Sequence, residues 1–223
     1  MIVRDMIDRA MRLNGSLAAG DQPNADDAAA ALIAANAMKA AWFGTLIGGR
    51  LTEQSVSGAV GQAENGGEYA IPAVAFTLTA PATPKSGSRF GAVDATADFA
   101  THNLTIVPGG RQIEGSTASL VISANGDNRR WWYRGDTGAW IREAPWASLS
   151  DTVELPDALC AYLPYMLAVV MAAEFNTDLR QDVIAGNIEG RQAMARTYAP
   201  RGLNPVERPL GIPAPQPAQQ AAG

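Results

Sequence analysis

Two stretches at the start of the chain have apolar residues at helical spacing. The first runs over 2–13, and Gly15, directly after Asn14, supplies a left-handed stop. The second is predicted to begin at Asn24, whose side chain can cap a helix, and to run to about Phe43. Its body is rich in alanine, which permits close approach of neighbouring helices, so both of its sides are expected to find partners.

The middle of the chain has the pattern of β-structure instead. Gly, Ser, Asn and Gln accumulate from about Gly48 to Glu68, which predicts a connecting segment. Short stretches of strand-like sequence, most of them separated by turn residues, then continue to about Ala147. The stretches are "AVAFTLTA", "RFGAVDA", "NLTIV", "ASLVIS", "RWWYR" and "AWIRE". They predict a small all-β module.

Helical sequence returns after this module. Pro156 suits the first turn of a helix, and Pro164 is expected to bend that helix. A last helix is predicted from a cap at Asn176 or Thr177 to Pro200. The rest of the chain is rich in proline and has little to bury, so we expect it to be extended or disordered unless a partner orders it.

These patterns together predict an α+β protein. Its core is a helical bundle of about four helices, with a small all-β module inserted between the helix pairs and an extended Pro-rich C-terminal tail. The predicted division is 1–67 for the N-terminal helices and linker, 68–147 for the inserted module, 148–200 for the C-terminal helices and 201–223 for the tail.

The composition is that of a globular protein. Of the 223 residues, 47% are hydrophobic and 17% are charged, and the net charge of −5 is too small to indicate nucleic acid or a membrane as a partner. The single cysteine, Cys160, excludes an internal disulfide framework. The N-terminus lacks the continuous apolar core of a secretory signal, and the longest apolar run, 159–173, is too short to span a bilayer. We therefore expect a protein that stays in the cytoplasm where it is made.

No pattern typical of an active site is present in the sequence. The only histidine, His102, has no cysteine or further histidine near it with which to build a metal site. The adjacent acids Asp26 and Asp27 are explained by the start of a helix, and the glycines of "LIGGR" and "VPGGR" lack the strand-to-helix context of a phosphate loop. We expect no enzyme, no cofactor and no metal. A carboxylate pair of a cell-wall hydrolase could still be assembled in three dimensions without a trace in the sequence.

The stretch "RRWWYRGDTGAW" is unusual because it has aromatic residues on both faces of a predicted strand. Alternation places Trp131 and Tyr133 on one face and Trp132 and Arg134 on the other. Both faces can be interior only if the sheet is covered on both sides. We therefore predict a partner-binding surface at Trp131, Trp132, Arg134 and Trp140, with a protein neighbour favoured over a sugar or a nucleic acid base.

The two flanks of the chain resemble a known family. The stretch "RDMIDRAMRLNGSLAAGDQPNADDAAAALIAANAMKAAW" is similar to the start of the head-to-tail adaptor, or head-completion, proteins of short-tailed bacteriophages. "ELPDALCAYLPYMLAVVMAAEFN" and "GNIEGRQAMARTYAP" are similar to later helices of that family. The resemblance covers roughly 1–47 and 153–200. Within the second predicted helix it rests on Ala31, Leu32, Asn36, Met38 and Trp42.

The middle resembles a small β-module that recurs in phage tail-fibre and virion proteins. The similarity lies in an "LxAPxxPxxGxR" opening from Leu78 to Arg89, in "DFATHNLTI" and "IEG", and in a closing aromatic strand with Trp140. Ser88 stands where the module usually has Asp, so a role of that acid is not carried over.

The resemblance implies a structural virion protein that forms a dodecameric ring, joins the portal to the tail and helps retain packaged DNA. Its implied partners are the portal protein, other adaptor copies, the tail nozzle and tail-fibre proteins, with DNA only in the ring channel. The implied location is the head-tail interface of the virion. An alternative is a receptor- or glycan-binding tail component that acts through the aromatics of the β-module. In the adaptor interpretation the tail contacts the portal through Arg201, Leu203, Val206, Arg208, Leu210 and Ile212.

Overall fold

The computed structural model describes residues 1–56 and 58–198. Helices α1 (Val3–Asn14) and α2 (Ala25–Trp42) come before all strands, and α3 (Asp157–Cys160), α4 (Leu163–Ala172) and α5 (Gln181–Tyr198) follow them. In chain order the strands are β1 (Thr52–Ser55), β2 (Val60–Gln62), β3 (Gly67–Ile71), β4 (Phe76–Thr79), β5 (Arg89–Asp94), β6 (Leu104–Val107), β7 (Gln112–Ile113), β8 (Leu120–Ile122), β9 (Arg129–Arg134) and β10 (Ala139–Arg142).

The prediction of a helical bundle with a small β-module is wrong. The described chain is a mixed α/β protein in which two mixed sheets, of six and four strands, accompany the helices. The sequence pattern missed β1, β2, β3 and β7. β1 and β2 lie in the segment predicted as a linker, and their side chains are mostly exposed. Such strands are held by hydrogen bonds between the backbones of neighbouring strands. Their side chains therefore need not alternate between apolar and polar residues.

The first six strands alternate between the two sheets. In the larger sheet β1, β3 and β5 are parallel neighbours, and in the smaller sheet β2, β4 and β6 are parallel neighbours. Each winding of the chain therefore adds one strand to each sheet. The larger sheet is completed by β9, β10 and β7, and the smaller sheet by β8. The six predicted strands that were confirmed are β4, β5, β6, β8, β9 and β10.

Two hydrophobic cores lie on opposite faces of the six-stranded sheet. The first fills the space between the sheets with side chains such as Phe76, Phe90 and Trp131. The second packs the helices together and includes Trp132, which belongs to β9, and Trp146, which follows β10. The six-stranded sheet is thus covered on one face by the smaller sheet and on part of its other face by helices.

The predicted N-terminal helices are confirmed, including their ends. α1 stops at Gly15, whose φ of 82° is left-handed. The side chain of Asn24 caps α2 by accepting a hydrogen bond from the backbone N–H of Asp27 at 2.8 Å. Burial follows one stripe of each helix, which on α1 includes Val3, Met6 and Ala10. α1 and α2 both pack against α4.

The C-terminal helices differ from the prediction in two places. Pro164 does not bend a helix, because a turn separates α3 from α4 and the proline lies in the first turn of α4. Proline is suited to that position because its missing N–H would have no partner there. Asn176 does not cap the last helix, because its φ of 48° is left-handed and α5 begins at Gln181. Among residues 1–56 and 58–198, no helix is long and apolar enough to cross a membrane.

Candidate functional site

The aromatic cluster predicted as a partner-binding surface is interior. Trp131 and Trp140 are fully buried between the sheets, where both indole rings pack against Phe90 with centroids 4.9 and 4.8 Å away. Trp132 points the other way, into the helical core, and meets the ring of Tyr198 edge-on at 5.3 Å. The sheet is covered on both faces where these side chains lie, so the three tryptophans do not form the predicted surface and offer no ring to a sugar or a base.

Arg134, the fourth residue of that predicted surface, is half-buried next to a turn. Its guanidinium donates to both carboxylate oxygens of Asp136, at 2.9 and 2.7 Å. These hydrogen bonds lower the pKa of the Asp136 carboxyl. The guanidinium of Arg134 is therefore already paired with a carboxylate within the turn that joins β9 to β10.

Other residues that carry the resemblance to the phage β-module form hydrogen bonds within the protein. The Glu114 carboxylate accepts a hydrogen bond from the indole N–H of Trp131 at 2.8 Å, and Glu114 N donates to the carbonyl of Trp140 at 3.0 Å. Glu114 thereby ties the loop after β7 to the β-core. His102 contacts the Asp98 carboxylate through Nδ1 at 2.6 Å, within the loop between β5 and β6.

A cleft of about 890 Å³ lies where α2 faces the uncovered part of the six-stranded sheet. We call it the paired cleft, because oppositely charged side chains on its walls form ion pairs. Its walls comprise Asn36, Lys39, Ala40, Phe43, Glu53, Glu68, Ala70, Arg89, Val93, Asn128, Arg130, Glu143, Ala144 and Pro145. The residues from the sheet share its outer face because they alternate with the residues of the β-core.

The strongest contact in the paired cleft joins Arg89 of β5 to Glu143, directly after β10. The guanidinium donates to the two carboxylate oxygens at 2.5 and 2.8 Å, and both side chains are 7% exposed. A third hydrogen bond runs from Nη1 of Arg89 to the carbonyl oxygen of Gly49 at 2.6 Å. Arg89 thereby fixes the loop after α2 to the sheet. A bidentate guanidinium-carboxylate pair is both strong and geometrically specific.

Lys39 is the buried charge on the helical side. Its Nζ lies 3.1 Å from Oε2 of Glu154 and 4.4 Å from the ring centroid of Trp146. Burial lowers the pKa of Lys39, and the neighbouring Glu154 carboxylate opposes this shift without cancelling it. One turn earlier on α2, Asn36 exchanges two hydrogen bonds with the backbone of Trp146, at 2.8 and 3.0 Å.

Most charged side chains of the paired cleft form ion pairs. Glu68 accepts a hydrogen bond from Nε of Arg130 at 2.5 Å, in addition to the pairs of Arg89 and Lys39. These carboxylates and cations are engaged with one another, so none of them is presented as a free acid, base or nucleophile. Within the part of the chain that the structure describes, no three His, Cys, Asp or Glu side chains are grouped so that they could hold a metal ion. Cys160 is buried, and burial raises the pKa of its thiol.

The C-terminal end of α5 is clamped between two loops. Gly48 N donates to the carbonyl oxygen of Tyr198 at 3.3 Å, and Gly87 lies so close that a Cβ on it would collide with the same carbonyl. Tyr198 itself is buried against Trp132. The predicted portal-binding residues follow this point and lie outside the described residues; they are Arg201, Leu203, Val206, Arg208, Leu210 and Ile212.

Sequence reasoning missed the pairing of Arg89 with Glu143 and the partners of Lys39. Arg89 is visible only as the last residue of the "GxR" motif, and its partner lies 54 residues further along the chain. A lysine within an alanine-rich helix is the one local signal for the second pair.

Scans against protein-family models and against curated proteins gave no match to this chain.

Proposed function

We propose that this protein is a ring-forming adaptor that joins the portal of a short-tailed phage to its tail and helps retain packaged DNA. The observation that carries the proposal is the meeting of the two flanks in one helical core. Residues from 3–47 and from 146–198 pack together, although the whole β-region separates them in the chain. These are the two parts of the sequence that resemble adaptors, and their packing in one hydrophobic core supports the proposal.

The contacts within this unit support the same interpretation. α4 is the central helix, packed against α1, α2 and α5. The first N–H groups of α1 are bound by carbonyls of the segment before α3: Val3 N donates to Asp151 O and Arg4 N to Leu149 O, both at 2.9 Å. The N-terminal flank is therefore secured to the C-terminal flank by backbone hydrogen bonds as well as by apolar packing.

The outer side of α2 is the surface that we assign to contacts between copies of the chain in the ring. Ile33 is 71% exposed there, and Ala29, Ala37, Ala40 and Ala41 are exposed around it. Small residues let a neighbouring backbone approach closely, but they bury little area. We therefore propose that the free protein is monomeric or weakly associated and that the portal templates the ring.

The test uses the portal protein encoded in the same genome. Native mass spectrometry at micromolar concentration should detect monomers alone and a ring of copies once portal is added. Ile33→Asp should keep the fold and prevent the copies from associating on the portal. Val121→Asp, at an exposed site on the smaller sheet, is the matched control and should have no effect. The absence of any complex between the full chain and the portal would refute the adaptor role, and a closed ring without portal would refute templating.

The predicted contact between the C-terminal tail and the portal is tested separately. A chain that ends after Ala199 should lose most of its portal affinity in biolayer interferometry, because it lacks all six predicted contact residues. A control chain that ends at residue 213 keeps them and should bind like the full chain. If the two shortened chains bind the portal equally, the described helices make the portal contact and the tail does not.

A further inference from the structure

A second cleft, of about 710 Å³, lies beside the clamped end of α5. We call it the basic cleft. Four short segments line it, which are 48–50, 65–66, 85–89 and 196–198. The close contacts of Gly48 and Gly87 at Tyr198 hold three of these segments together, so the walls of the cleft are fixed by backbone packing.

Among the described residues that line the basic cleft there are cations and no acidic residue. Arg50, Lys85 and Arg196 are exposed, and none of the three forms an ion pair with another residue of 1–56 or 58–198. Arg89 also borders the cleft, but its charge is balanced by Glu143. Three positive charges that have no ion-pair partner among the described residues are thus concentrated in one concavity of a chain whose net charge is −5.

A neutral hydrogen-bond donor accompanies these cations. The Ser88 hydroxyl oxygen accepts a hydrogen bond from Lys85 N at 2.9 Å, which leaves the hydroxyl hydrogen to donate to a ligand. Thr197 does not contribute a donor, because its hydroxyl donates to the carbonyl of Ala193 at 2.9 Å.

We propose that the basic cleft binds a phosphate group, either as free phosphate or as the terminal phosphate of a nucleic acid strand. A terminal phosphate carries a charge of about −1.5 to −2 near neutral pH and three strong acceptor oxygens. Two guanidinium groups, an ammonium and a serine hydroxyl can serve those oxygens together. A single carboxylate, with one charge and two oxygens, would leave part of this set without a partner. The proposal does not depend on the adaptor role.

The contrast with the paired cleft supports the assignment. Both clefts adjoin Arg89, yet the paired cleft also contains Glu53, Glu68 and Glu143, and its cations have partners. An anion entering the paired cleft would meet these carboxylates. In the basic cleft the described lining offers it only positive or neutral groups, so attraction to this lining is not offset by repulsion.

The test is isothermal titration calorimetry of the full chain with inorganic phosphate at low ionic strength, with the double variant Arg50→Gln/Lys85→Gln as the comparison. The wild type should bind one phosphate, and the double variant should bind at least about tenfold more weakly, because two charges near the ligand are removed. Arg191→Gln, an exposed position of α5 outside the cleft, is the matched control and should stay within about twofold. All substituted side chains are exposed, and thermal melts will verify that the variants fold.

Two further titrations identify the source of the phosphate. If the cleft takes a strand terminus, a 5′-phosphorylated thymidine oligonucleotide should bind more tightly than the same strand without the phosphate. Equal binding of the two strands would refute the strand terminus as the source, because a backbone phosphodiester carries only one charge and two free oxygens. Binding of inorganic phosphate alone assigns it to a small anion. The proposal is overturned if phosphate shows no saturable binding, if the double variant binds phosphate as the wild type does, or if a glutamate-rich peptide binds more tightly than any phosphate ligand.

Discussion

Removing one member of the buried Arg89 and Glu143 pair should destabilise the protein severely. In Arg89→Met the Glu143 carboxylate would stay nearly inaccessible to solvent without its counter-charge, and Gly49 would lose the donor to its carbonyl oxygen. Breaking a buried pair in this way typically costs about 3–5 kcal/mol. Since domains are stable by only about 5–15 kcal/mol, the variant would lose a large part of its free energy of unfolding.

The magnitude can be measured by equilibrium unfolding in urea. All five tryptophans are buried to 3% exposure or less, so their fluorescence reports the loss of both cores. Arg180→Met is the matched control, because the Arg180 pair with Asp182 is more than 60% exposed on both sides and should contribute at most about 1 kcal/mol. At constant m-value, a cost in Arg89→Met no larger than that of Arg180→Met would show that Glu143 is solvated, and the reasoning would fail.

A double-mutant cycle separates the ion pair from the lost packing. Arg89→Met and Glu143→Met together remove both charges, so neither remains buried alone. The double variant should be more stable than the sum of the two single losses predicts, by at least about 2 kcal/mol. Additive losses would mean that the two side chains act independently despite their bidentate geometry.

Three further predictions follow from the described contacts. Trp132→Ala should cost about 3–5 kcal/mol in urea unfolding, because it removes the ring that joins the sheet to the helical core. Gly87→Ala should lower the melting temperature far more than Gly115→Ala: both glycines have positive φ, but only at Gly87 would the new Cβ collide with the backbone of Tyr198. At Asp94 burial opposes ionisation, yet hydrogen bonds from backbone N–H groups lower the pKa of the folded state. This contribution is complete above the unfolded-state pKa of about 3.9 and is lost as pH falls, so Asp94→Asn should cost stability at neutral pH and progressively less in acid.

Local sequence signals identified most of the elements but not how they assemble. α1, α2 and six strands could be predicted because their caps, turns and apolar spacing lie within a few residues of one another. β1 could not, because the polar stretch "TEQS" is a strand only through its parallel ladder with β3. Trp131 and Trp132 were ambiguous because a strand covered on both faces has no polar side. The pair of Arg89 and Glu143 depends on β5 and β10 both lying beside β9, which no local pattern specifies.

The helical core is built from the two ends of the chain, and this affects the order in which the protein can fold during synthesis. α1 makes its main contacts with α4, which leaves the ribosome only after all ten strands have been made. Until then the apolar stripe of α1, with Met6, Ile7 and Met11, lacks its main partner and has only α2 to pack against. Contacts of such large sequence separation slow folding and prolong the exposure of apolar surface. The apolar stripe of α1 therefore stays without its main partner throughout the synthesis of the β-region.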